Sequence, residues 1–227
     1  MKLANTIDSK SIARKGLRVQ FPPSAHMRRY FRKTILNKDK VLQAYVIGLA
    51  IGDGNISNPN GRATRLRITC DKKYPALLEK ITISLKNLLP NNKVNIVKRE
   101  KNYVDVSVYS NHLEKLLGWK AKDGSKLIQC VSIPDWIKQN NKYKINCLRG
   151  LIETDGSIYS DRGYKMVIFT TIIPELATDV YDIIFSLGFN PHIYKIENKN
   201  RPITQTYHIR LSKNVNNFLD LIRPEKL

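Results

Sequence analysis

The chain has 227 residues, of which 42% are hydrophobic and 26% are charged, a composition typical of a folded globular protein. Lys and Arg number 39 against 19 Asp and Glu, which gives a formal net charge of +20. An excess of this size favours a polyanionic partner, nucleic acid before membrane. No apolar run reaches the roughly 18 residues that a membrane helix needs, and the N-terminus lacks the apolar region of a signal peptide.

The three cysteines, Cys70, Cys130 and Cys147, form an odd and widely spaced set. Their spacing matches neither a disulfide framework nor a zinc site. Because such thiols are typical of a reducing compartment, the sequence predicts an intracellular protein of the cytoplasm, nucleoid or an organelle matrix that is not secreted.

Residues 1–37 are predicted to form a basic, poorly ordered N-terminal extension. Residues 1–40 contain 11 Lys and Arg but only two Asp, so part of the charge excess is local. Two prolines, Pro22 and Pro23, break regular structure here, and residues 28–33 mix basic with aromatic side chains. Two interpretations of this run stay open: a solvated tail, or an arm that lies along a phosphate backbone.

An internal repeat organises the rest of the chain. One copy reads YVIGLAIGDGNIS at residues 45–57, and the other reads CLRGLIETDGSIY at residues 147–159. Gly48 and Gly150 are 102 residues apart, and so are Asp53 and Asp155. The same predicted elements follow each copy, so the match extends well beyond the motif.

Strands are predicted directly after each motif, at 65–70 and 165–170, and amphipathic helices opened by proline follow at 75–89 and 174–187. Each half then continues with two strands and a short helix: 94–98, 104–108 and 112–117 in the first, and 192–196, 207–211 and 215–222 in the second.

The sequence therefore predicts an α+β fold, a tandem repeat of two α-β-β-α-β-β-α halves with antiparallel sheets. The first half is expected at residues 38–120 and the second at 142–227. Residues 121–141 are expected to link them, with a short helix that begins near residue 133.

The predicted strands alternate apolar with polar residues, which indicates sheets with one face on a core and the other outside. Arg65 and Arg67 alternate with Leu66 and Ile68, for example. One interpretation is the ordinary wet face of an antiparallel sheet. A polar face in both halves of a strongly basic protein favours nucleic-acid contact instead.

The motif glycines predict two helices in close contact. Gly48 and Gly52 lie four residues apart and share a helix face, as do Gly150 and Thr154 in the second copy. Small residues on that face allow two helix backbones to approach closely. Two further glycines, Gly54 and Gly156, suit the position just past a helix end, where φ can turn positive.

Asp53 and Asp155 come at the C-terminal ends of these helices, where a carboxylate is unfavourable by about 0.3–1 kcal/mol. If the helices pack about a pseudo-two-fold axis, the two charges repel by roughly 3 kcal/mol at about 5 Å. Divalent cations relieve such repulsion, since hard oxygen ligands attract Mg²⁺. Two metal ions between carboxylates can clamp the oxygens of phosphodiester hydrolysis. The alternative is that each Asp only caps a turn.

Residues 46–54 and 148–156 resemble the two signature motifs of the LAGLIDADG homing endonucleases, in their single-chain form. The resemblance extends through the repeat, over residues 38–222. It implies that the motif helices form the interface between the halves, and that two saddle-shaped sheets lie in the DNA major groove. It also implies a double-strand break at a long, nearly palindromic site with Mg²⁺ as cofactor.

Transferred residue by residue, the resemblance assigns metal binding to Asp53 and Asp155. The predicted metal site also includes Gly52 and Thr154, with two or more divalent ions at the interface. The earlier acidic position of the motif is Ile51 in one copy and Glu153 in the other.

Family members often carry a basic residue near the strand ends beside the metals. Lys98 and Lys195 occupy equivalent places and are the candidates for catalysis, and the alternative is that they are surface lysines that contact DNA phosphate. The family's polar residue at the end of the second strand has Cys70 and Thr170 nearby, which leaves its identity open.

The outward residues of the strands are the predicted contacts to DNA, since Arg can read guanine and Asn can read adenine. They are Asn55, Ser57, Arg65, Arg67, Ser157, Tyr159, Lys165, His208 and Arg210.

The partner is therefore expected to be double-stranded DNA, bound by a monomer with no obligate protein partner and no membrane. One alternative is an RNA-binding group I intron maturase on the same fold, with intron RNA as its partner. A second is a non-catalytic transcription regulator, which would normally have lost one of the two acids.

Overall fold

The structure is a computed structural model that describes residues 35–99, 102–197 and 205–226. The predicted basic extension lies almost wholly outside these residues. The first half contains helix α1 (Lys40–Ile51), strands β1 (Gly54–Ser57) and β2 (Thr64–Asp71), helix α2 (Pro75–Leu88), strands β3 (Asn95–Lys98) and β4 (Tyr103–Ser110), and helix α3 (Leu113–Leu117).

The second half repeats this order after a short helix, α4 (Asp135–Lys138). It contains helix α5 (Asn141–Thr154), strands β5 (Gly156–Asp161) and β6 (Tyr164–Thr171), helix α6 (Pro174–Ser186), strands β7 (His192–Glu197) and β8 (Gln205–Leu211), and helix α7 (Val215–Ile222). Within the described ranges, no helix is long and apolar enough to cross a membrane.

Each half forms a four-stranded antiparallel sheet, with strand order β1-β2-β4-β3 in the first and β5-β6-β8-β7 in the second. The buried faces pack on the helices because every second side chain is apolar, as in β2, where Leu66 and Ile68 are fully buried. The predicted α+β fold of two α-β-β-α-β-β-α halves is confirmed.

Helices α1 and α5 pack against each other through their glycines. A Cβ atom on Gly48 would lie 2.2 Å from the carbonyl oxygen of Cys147. A Cβ atom on Gly150 would lie 2.5 Å from the carbonyl oxygen of Tyr45 and 2.6 Å from the amide nitrogen of Leu49. The predicted close approach of the two backbones is therefore present, and it explains why glycine stands inside both helices despite its helix propensity.

The glycines after the two aspartates serve a different purpose from the one predicted. Neither Gly54 nor Gly156 has a positive φ angle. A Cβ atom on Gly54 would instead lie 2.4 Å from the Cα of Ala50, and one on Gly156 would lie 2.6 Å from the Cα of Ile152. The strand leaves the helix end so closely that only glycine fits, and this tight exit holds the preceding aspartate at the seam.

The two halves also differ by one residue in their strand alignment. Gly54 pairs with Ile68, and Gly156 pairs with Phe169. Gly156 is 102 residues after Gly54, whereas Phe169 is only 101 residues after Ile68. A slip of one residue exchanges the faces of a strand. Lys165 therefore lies on the helix-facing side of β6, where it lines a small cavity with Asn214, and the expectation that it points outward is corrected.

Replacing Gly150 by alanine is expected to destabilise the protein by roughly 1–3 kcal/mol or more, because the new methyl group collides with the backbone of α1. Thermal and urea unfolding of the full chain measure this change. Lys86→Ala, on the exposed face of α2, is the control and should stay within about 0.5 kcal/mol of wild type. Equal stability of Gly150→Ala and wild type would contradict the close packing.

Candidate active site

The two motif helices bring Asp53 and Asp155 to one cavity. Helix α1 ends at Ile51 and helix α5 at Thr154, so Asp53 follows one helix end and Asp155 is the C-cap of the other. Both carboxylates line a cavity of about 400 Å³. The contact across the seam is direct, since a Cβ atom on Gly52 would lie 3.4 Å from Oδ2 of Asp155.

Both carboxylates are harder to ionise than ordinary aspartates. Partial loss of solvent raises the pKa of Asp155, and the neighbouring charge of Asp53 raises it further, to about 6. Partial loss of solvent also raises the pKa of Asp53, although this residue stays exposed at the mouth of the cavity. The pair thus stores an unfavourable interaction that a cation can relieve.

Lys126 from the linker supplies one such cation. Its Nζ donates hydrogen bonds to the carbonyl oxygens of Ile51 and Gly52, at 2.5 Å each, and of Ala50, at 3.2 Å. These are the last carbonyls of α1, where the helix dipole favours positive charge. Desolvation lowers the pKa of Lys126 to about 8, while Asp155 and Asp53 counteract the fall.

Lys226 performs the equivalent contact in the second half. Its Nζ donates to the carbonyl oxygen of Thr154 at 2.8 Å and to that of Gly156 at 3.4 Å. Desolvation lowers its pKa, and Asp53 and Asp155 oppose this change. Each motif helix therefore ends on a lysine that comes from beyond the last helix of its own half.

A buried glutamate fixes the segment that carries Lys226. Glu153 is 1% exposed and accepts hydrogen bonds from the hydroxyl of Tyr45 at 2.6 Å, from Nζ of Lys80 at 3.3 Å and from the amide of Glu225 at 2.9 Å. Burial and the adjacent carboxylate raise the pKa of Tyr45, which therefore stays protonated as the donor. The earlier acidic position of the second motif thus ties α1, α2 and the C-terminal segment together.

A second cavity, of about 450 Å³, lies on the other side of the seam and is related to the first by the pseudo-symmetry. Gly52, Lys126 and Asp155 line it, as Thr154, Lys226 and Asp53 line the first. The two cavities are not equivalent in chemistry. The first contains Cys70, Asp71 and Glu153, and the second contains Thr171, Ile172 and Ile51 at the corresponding places.

The oxygen donors at the seam suit a hard divalent ion that keeps much of its water. Among the residues that the structure describes, no group of three or more His, Cys, Asp or Glu side chains forms a ready metal site. The donors are the two carboxylates and the carbonyls of Gly52 and Thr154, and the hydroxyl of Thr154 is already bonded to the carbonyl of Gly150 at 2.9 Å. Mg²⁺ typically binds through one or two carboxylates, waters and substrate phosphates, so this set fits it.

Lys98 and Lys195, the lysines predicted for catalysis, lie elsewhere. They occupy equivalent places, since Lys98 pairs with Val104 and Lys195 pairs with Tyr207. That register pairs both with strand residues whose side chains face the helices, yet Lys98 also lines a basic concave surface with Arg65, Arg67 and Arg99. Nζ of Lys195 lies 5.4 Å from the ring centre of Tyr207. Neither lysine lines either cavity at the seam.

Sequence reasoning missed Lys126 and Lys226 because they lie in segments without helix or strand periodicity. Their partners are main-chain carbonyls, which no residue type reveals. The available signal was positional: in each half a lysine follows the last short helix, at residue 126 after α3 and at residue 226 after α7.

The other predicted DNA-contact residues lie on the outward face of the sheets. The register aligns Asn55 with Arg67 and Ser57 with Arg65, and Nε of Arg65 donates to Oγ of Ser57 at 3.2 Å. The outward members in the second half are Ser157, Tyr159, His208 and Arg210. His208 stacks on Tyr194 at 5.3 Å, and desolvation lowers its pKa.

A family model described as the LAGLIDADG-like domain matches the second half, from residue 142 to residue 223. Residues 142–223 form a LAGLIDADG-like domain. The match begins within α5 and extends past the end of α7, so it includes the second motif and its Asp155.

Solved structures extend the likeness to both halves. A crystal structure of I-DmoI in complex with DNA and Mn has 18% identity and a TM-score of 0.57, and the match covers 81% of this chain and 95% of that one. The homing endonuclease I-WcaI bound to its DNA recognition sequence has 17% identity and a TM-score of 0.57, with 86% and 84% covered. At these identities the likeness concerns the fold, and the chain has the two-halved fold of LAGLIDADG homing endonucleases.

The N-terminal LAGLIDADG domain of DUF199/WhiA is similar in the same way, with 15% identity, a TM-score of 0.53, and 84% of this chain and 86% of that one covered. The resemblance stated from the motifs is thus confirmed, by the family model in the second half and by the fold in both.

Three curated relatives match parts of longer proteins. A DNA polymerase of Thermococcus hydrothermalis is 29% identical over 73% of this chain and 10% of its own length. The ATP-dependent DNA helicase Hel308 of Thermococcus kodakarensis is 27% identical, over 67% and 13%. The tRNA-splicing ligase RtcB of Pyrococcus furiosus is 26% identical, over 80% and 21%. The chain therefore spans between a tenth and about a fifth of these relatives.

Replacing Asp155 by asparagine is expected to stabilise the metal-free protein at pH 8. The pKa of Asp155 in the folded protein, about 6, lies above the unfolded value near 3.9. The folded state therefore holds this proton more tightly, and wild-type stability falls as pH rises through that interval. Asp155→Asn removes this loss, with a gain on the order of 1–2 kcal/mol after solvent screening.

Thermal unfolding in EDTA checks this expectation. The melting temperature of Asp155→Asn should exceed that of wild type at pH 8, and the difference should vanish toward pH 4, where the wild-type carboxyl is protonated. A variant that is less stable than wild type at pH 8 would contradict the assigned charge repulsion.

Proposed function

We propose that the protein is a site-specific DNA endonuclease that makes a double-strand break by hydrolysing one phosphodiester bond in each strand. The observation that carries this proposal is the meeting of Asp53 and Asp155, one from each half, at a seam flanked by two polar-faced sheets. One acid and one lysine per half, related by pseudo-symmetry, match the pseudo-symmetry of two antiparallel DNA strands.

The cofactor proposed is Mg²⁺, with two or more ions at the interface. Asp53, Asp155 and the carbonyls of Gly52 and Thr154 would hold the ions, which supply charge neutralisation and an activated water for hydrolysis. The raised pKa of Asp155 and the lysines already seated on the two helix ends support a strong local preference for cations.

Within this proposal the two lysines act on opposite strands. Each ammonium group lies between a helix end and the cavity that holds the carboxylates, where it can stabilise negative charge on a phosphate in the transition state. Because the pKa of Lys126 is lowered to about 8, this group can also exchange a proton with water near neutral pH.

Duplex DNA is the proposed partner of the outward sheet faces. Arg65, Arg67 and Arg210 supply positive charge there, and Asn55 and Tyr159 supply polar or aromatic contacts. The net charge of +20 favours binding to the phosphate backbone, which makes affinity strongly dependent on salt. Both halves lie in one chain, so the proposed active form is a monomer inside the cell.

The curated relatives support a homing-type role. They carry three different enzyme names, yet each shares with this chain a segment that makes up only 10% to 21% of its length. A segment that recurs in proteins of unrelated activity behaves as a portable unit rather than as part of one enzyme's own catalysis. We infer an intron- or intein-type element whose cleavage promotes its own insertion.

Asp53→Asn and Asp155→Asn are each expected to reduce DNA cleavage at least a hundredfold while DNA binding persists, because each change removes a metal-binding charge. Wild type and variants are incubated with randomised duplex DNA and Mg²⁺, and the cut ends are sequenced. Asp182→Asn, on the exposed face of α6, is the control and should cut as wild type does. A variant at either seam position that still cuts both strands would remove the carboxylate from the mechanism.

Lys126→Met and Lys226→Met are expected to reduce cleavage roughly a hundredfold, since each removes the cation beside the carboxylates. Lys98→Met and Lys195→Met are expected to change it less than about tenfold, because neither side chain lines a cavity at the seam. Single-turnover cleavage of a selected site at fixed salt measures all four. The reverse order of effects would return the catalytic role to the edge lysines.

A further inference from the structure

A buried carboxylate stands on the outward face of the first sheet, where a DNA-binding surface would be expected to be positive. Asp105 is 5% exposed and lies between Thr69 on β2 and Val97 on β3. Oγ1 of Thr69 donates a hydrogen bond to Oδ1 of Asp105 at 2.8 Å. An acid buried here would weaken binding to a polyanion unless its partners compensate for it.

Two arginines converge on Asp105. Arg99 directs Nε and Nη2 at Oδ2, at 2.6 and 2.5 Å, which is a charge-assisted contact of the strong, planar kind. Nε of Arg67 lies 3.9 Å from the same oxygen and has no hydrogen-bond partner within the described chain. The Arg99 side chain is 46% exposed and that of Arg67 31%, so both guanidinium groups reach the surface while the carboxylate below them does not.

These groups line a concave surface of about 610 Å³. Its cations are Arg65, Arg67, Lys98 and Arg99, and its single acid is Asp105. The carboxylate therefore holds the Arg99 guanidinium group by hydrogen bonds and attracts that of Arg67, and both groups line this basic surface. Arginine loses rotamer freedom when it binds a base edge, and a partner that holds it in place beforehand reduces that loss.

The second sheet has different residues at the equivalent cross-strand pair. Thr69 pairs with Asp105, and the equivalent pair is Thr170 with His208, whose Nδ1 lies 3.2 Å from Oγ1 of Thr170. The residues equivalent to Val97 and Arg99 are Tyr194, which stacks on His208, and Ile196, which is 47% exposed. An acid–arginine cluster in one half thus corresponds to an aromatic and aliphatic surface in the other.

We propose that Asp105 is a positioning residue that holds Arg67 and Arg99 for reading guanine in the half-site under the first sheet. This inference rests on the proposed recognition of DNA. Arginine reads guanine through its O6 and N7 atoms in the major groove. The equivalent residues of the second sheet, His208, Tyr194 and Ile196, have no guanidinium group that could bind O6 and N7 together. The half-site under the second sheet therefore lacks the guanine at the matching place, and this difference orients the protein on its target.

The neighbouring cross-strand pair shows why the buried Asp105, rather than the presence of an arginine, distinguishes the two sheets. Arg67 pairs with Ser107 in the first sheet, and Ile168 pairs with Arg210 in the second, so each half has one arginine there. The acid beside Arg210 is Asp161, at 3.4 Å, and its side chain is 47% exposed. Arg210 therefore has a solvated partner, whereas the first-half arginines share a buried one.

Selection of bound sequences from a randomised duplex DNA library tests the proposal. The full chain is used in EDTA, so that no metal-dependent cleavage depletes the bound fraction, and wild type is compared with Asp105→Asn. The variant is expected to lose roughly tenfold in preference for guanine at one position of one half-site. The other positions should keep their preferences, and affinity for random-sequence duplex at equal salt should be unchanged or higher, because a negative charge is removed.

Arg99→Gln is the second variant, because it removes only a half-exposed side chain and leaves Asp105 with Thr69 and Arg67. It should lose preference at the same position. Asp161→Asn is the matched control in the second half and should leave that position unaltered, while Asp105→Glu, which keeps the charge, should retain part of the preference.

Identical selected motifs for wild type, Asp105→Asn and Arg99→Gln would overturn the inference, and so would a uniform loss at every position, which would indicate a purely structural ion pair. If wild type itself enriches no sequence while it still binds duplex, the proposed site-specific function fails as well. The behaviour of wild type therefore separates the two failures.

Discussion

The contact of α1 with α5 through Gly48 and Gly150 is the constraint on which the rest of the structure depends. Without side chains at these positions, the backbone of each helix meets a carbonyl oxygen of the other. The close approach of the two helix backbones places the helix ends side by side. The tight turns at Gly54 and Gly156 then lead the chain of each half into its sheet. Asp53 and Asp155, which follow these helices, are therefore held close together, and the repulsion between their carboxylates is a consequence of the fold.

Two lysines from outside the motifs supply positive charge that offsets this repulsion. Lys126 and Lys226 each bind the carbonyls at a helix end, where both the dipole and the carboxylates favour a cation. Glu153 fixes the second of these lysines through the amide of Glu225, and it is itself compensated by Lys80 and Tyr45. The first half has Ile51 at the position of Glu153, so the two lysines are anchored in different ways.

The sequence predicted the elements, the two-halved architecture and the helix contact because repeats and periodicity reflect burial directly. It placed Asp53 and Asp155 at one seam because a duplicated motif at a symmetric interface must bring its copies together. It failed at Lys165, where a shift of one residue decides which face of the sheet a side chain is on. The spacing between equivalent residues of the two halves changes from 102 to 101 across the first hairpin. The sequence also missed Lys126, whose ligands are carbonyls, and it assigned catalysis to Lys98 and Lys195, which line neither cavity at the seam.

The origin of Lys126 affects how the chain could be divided. This lysine follows α3 and lies in the segment that joins the halves, yet it completes the end of α1, just as Lys226 completes the end of α5. Each half thus extends from its motif helix to the lysine that binds the end of that helix. The true connector is therefore shorter than the stretch between the last helix of one half and the first of the next. Chimaeras that exchange halves between related proteins should join them after Lys126, since an earlier junction would pair a motif helix with a foreign ammonium group.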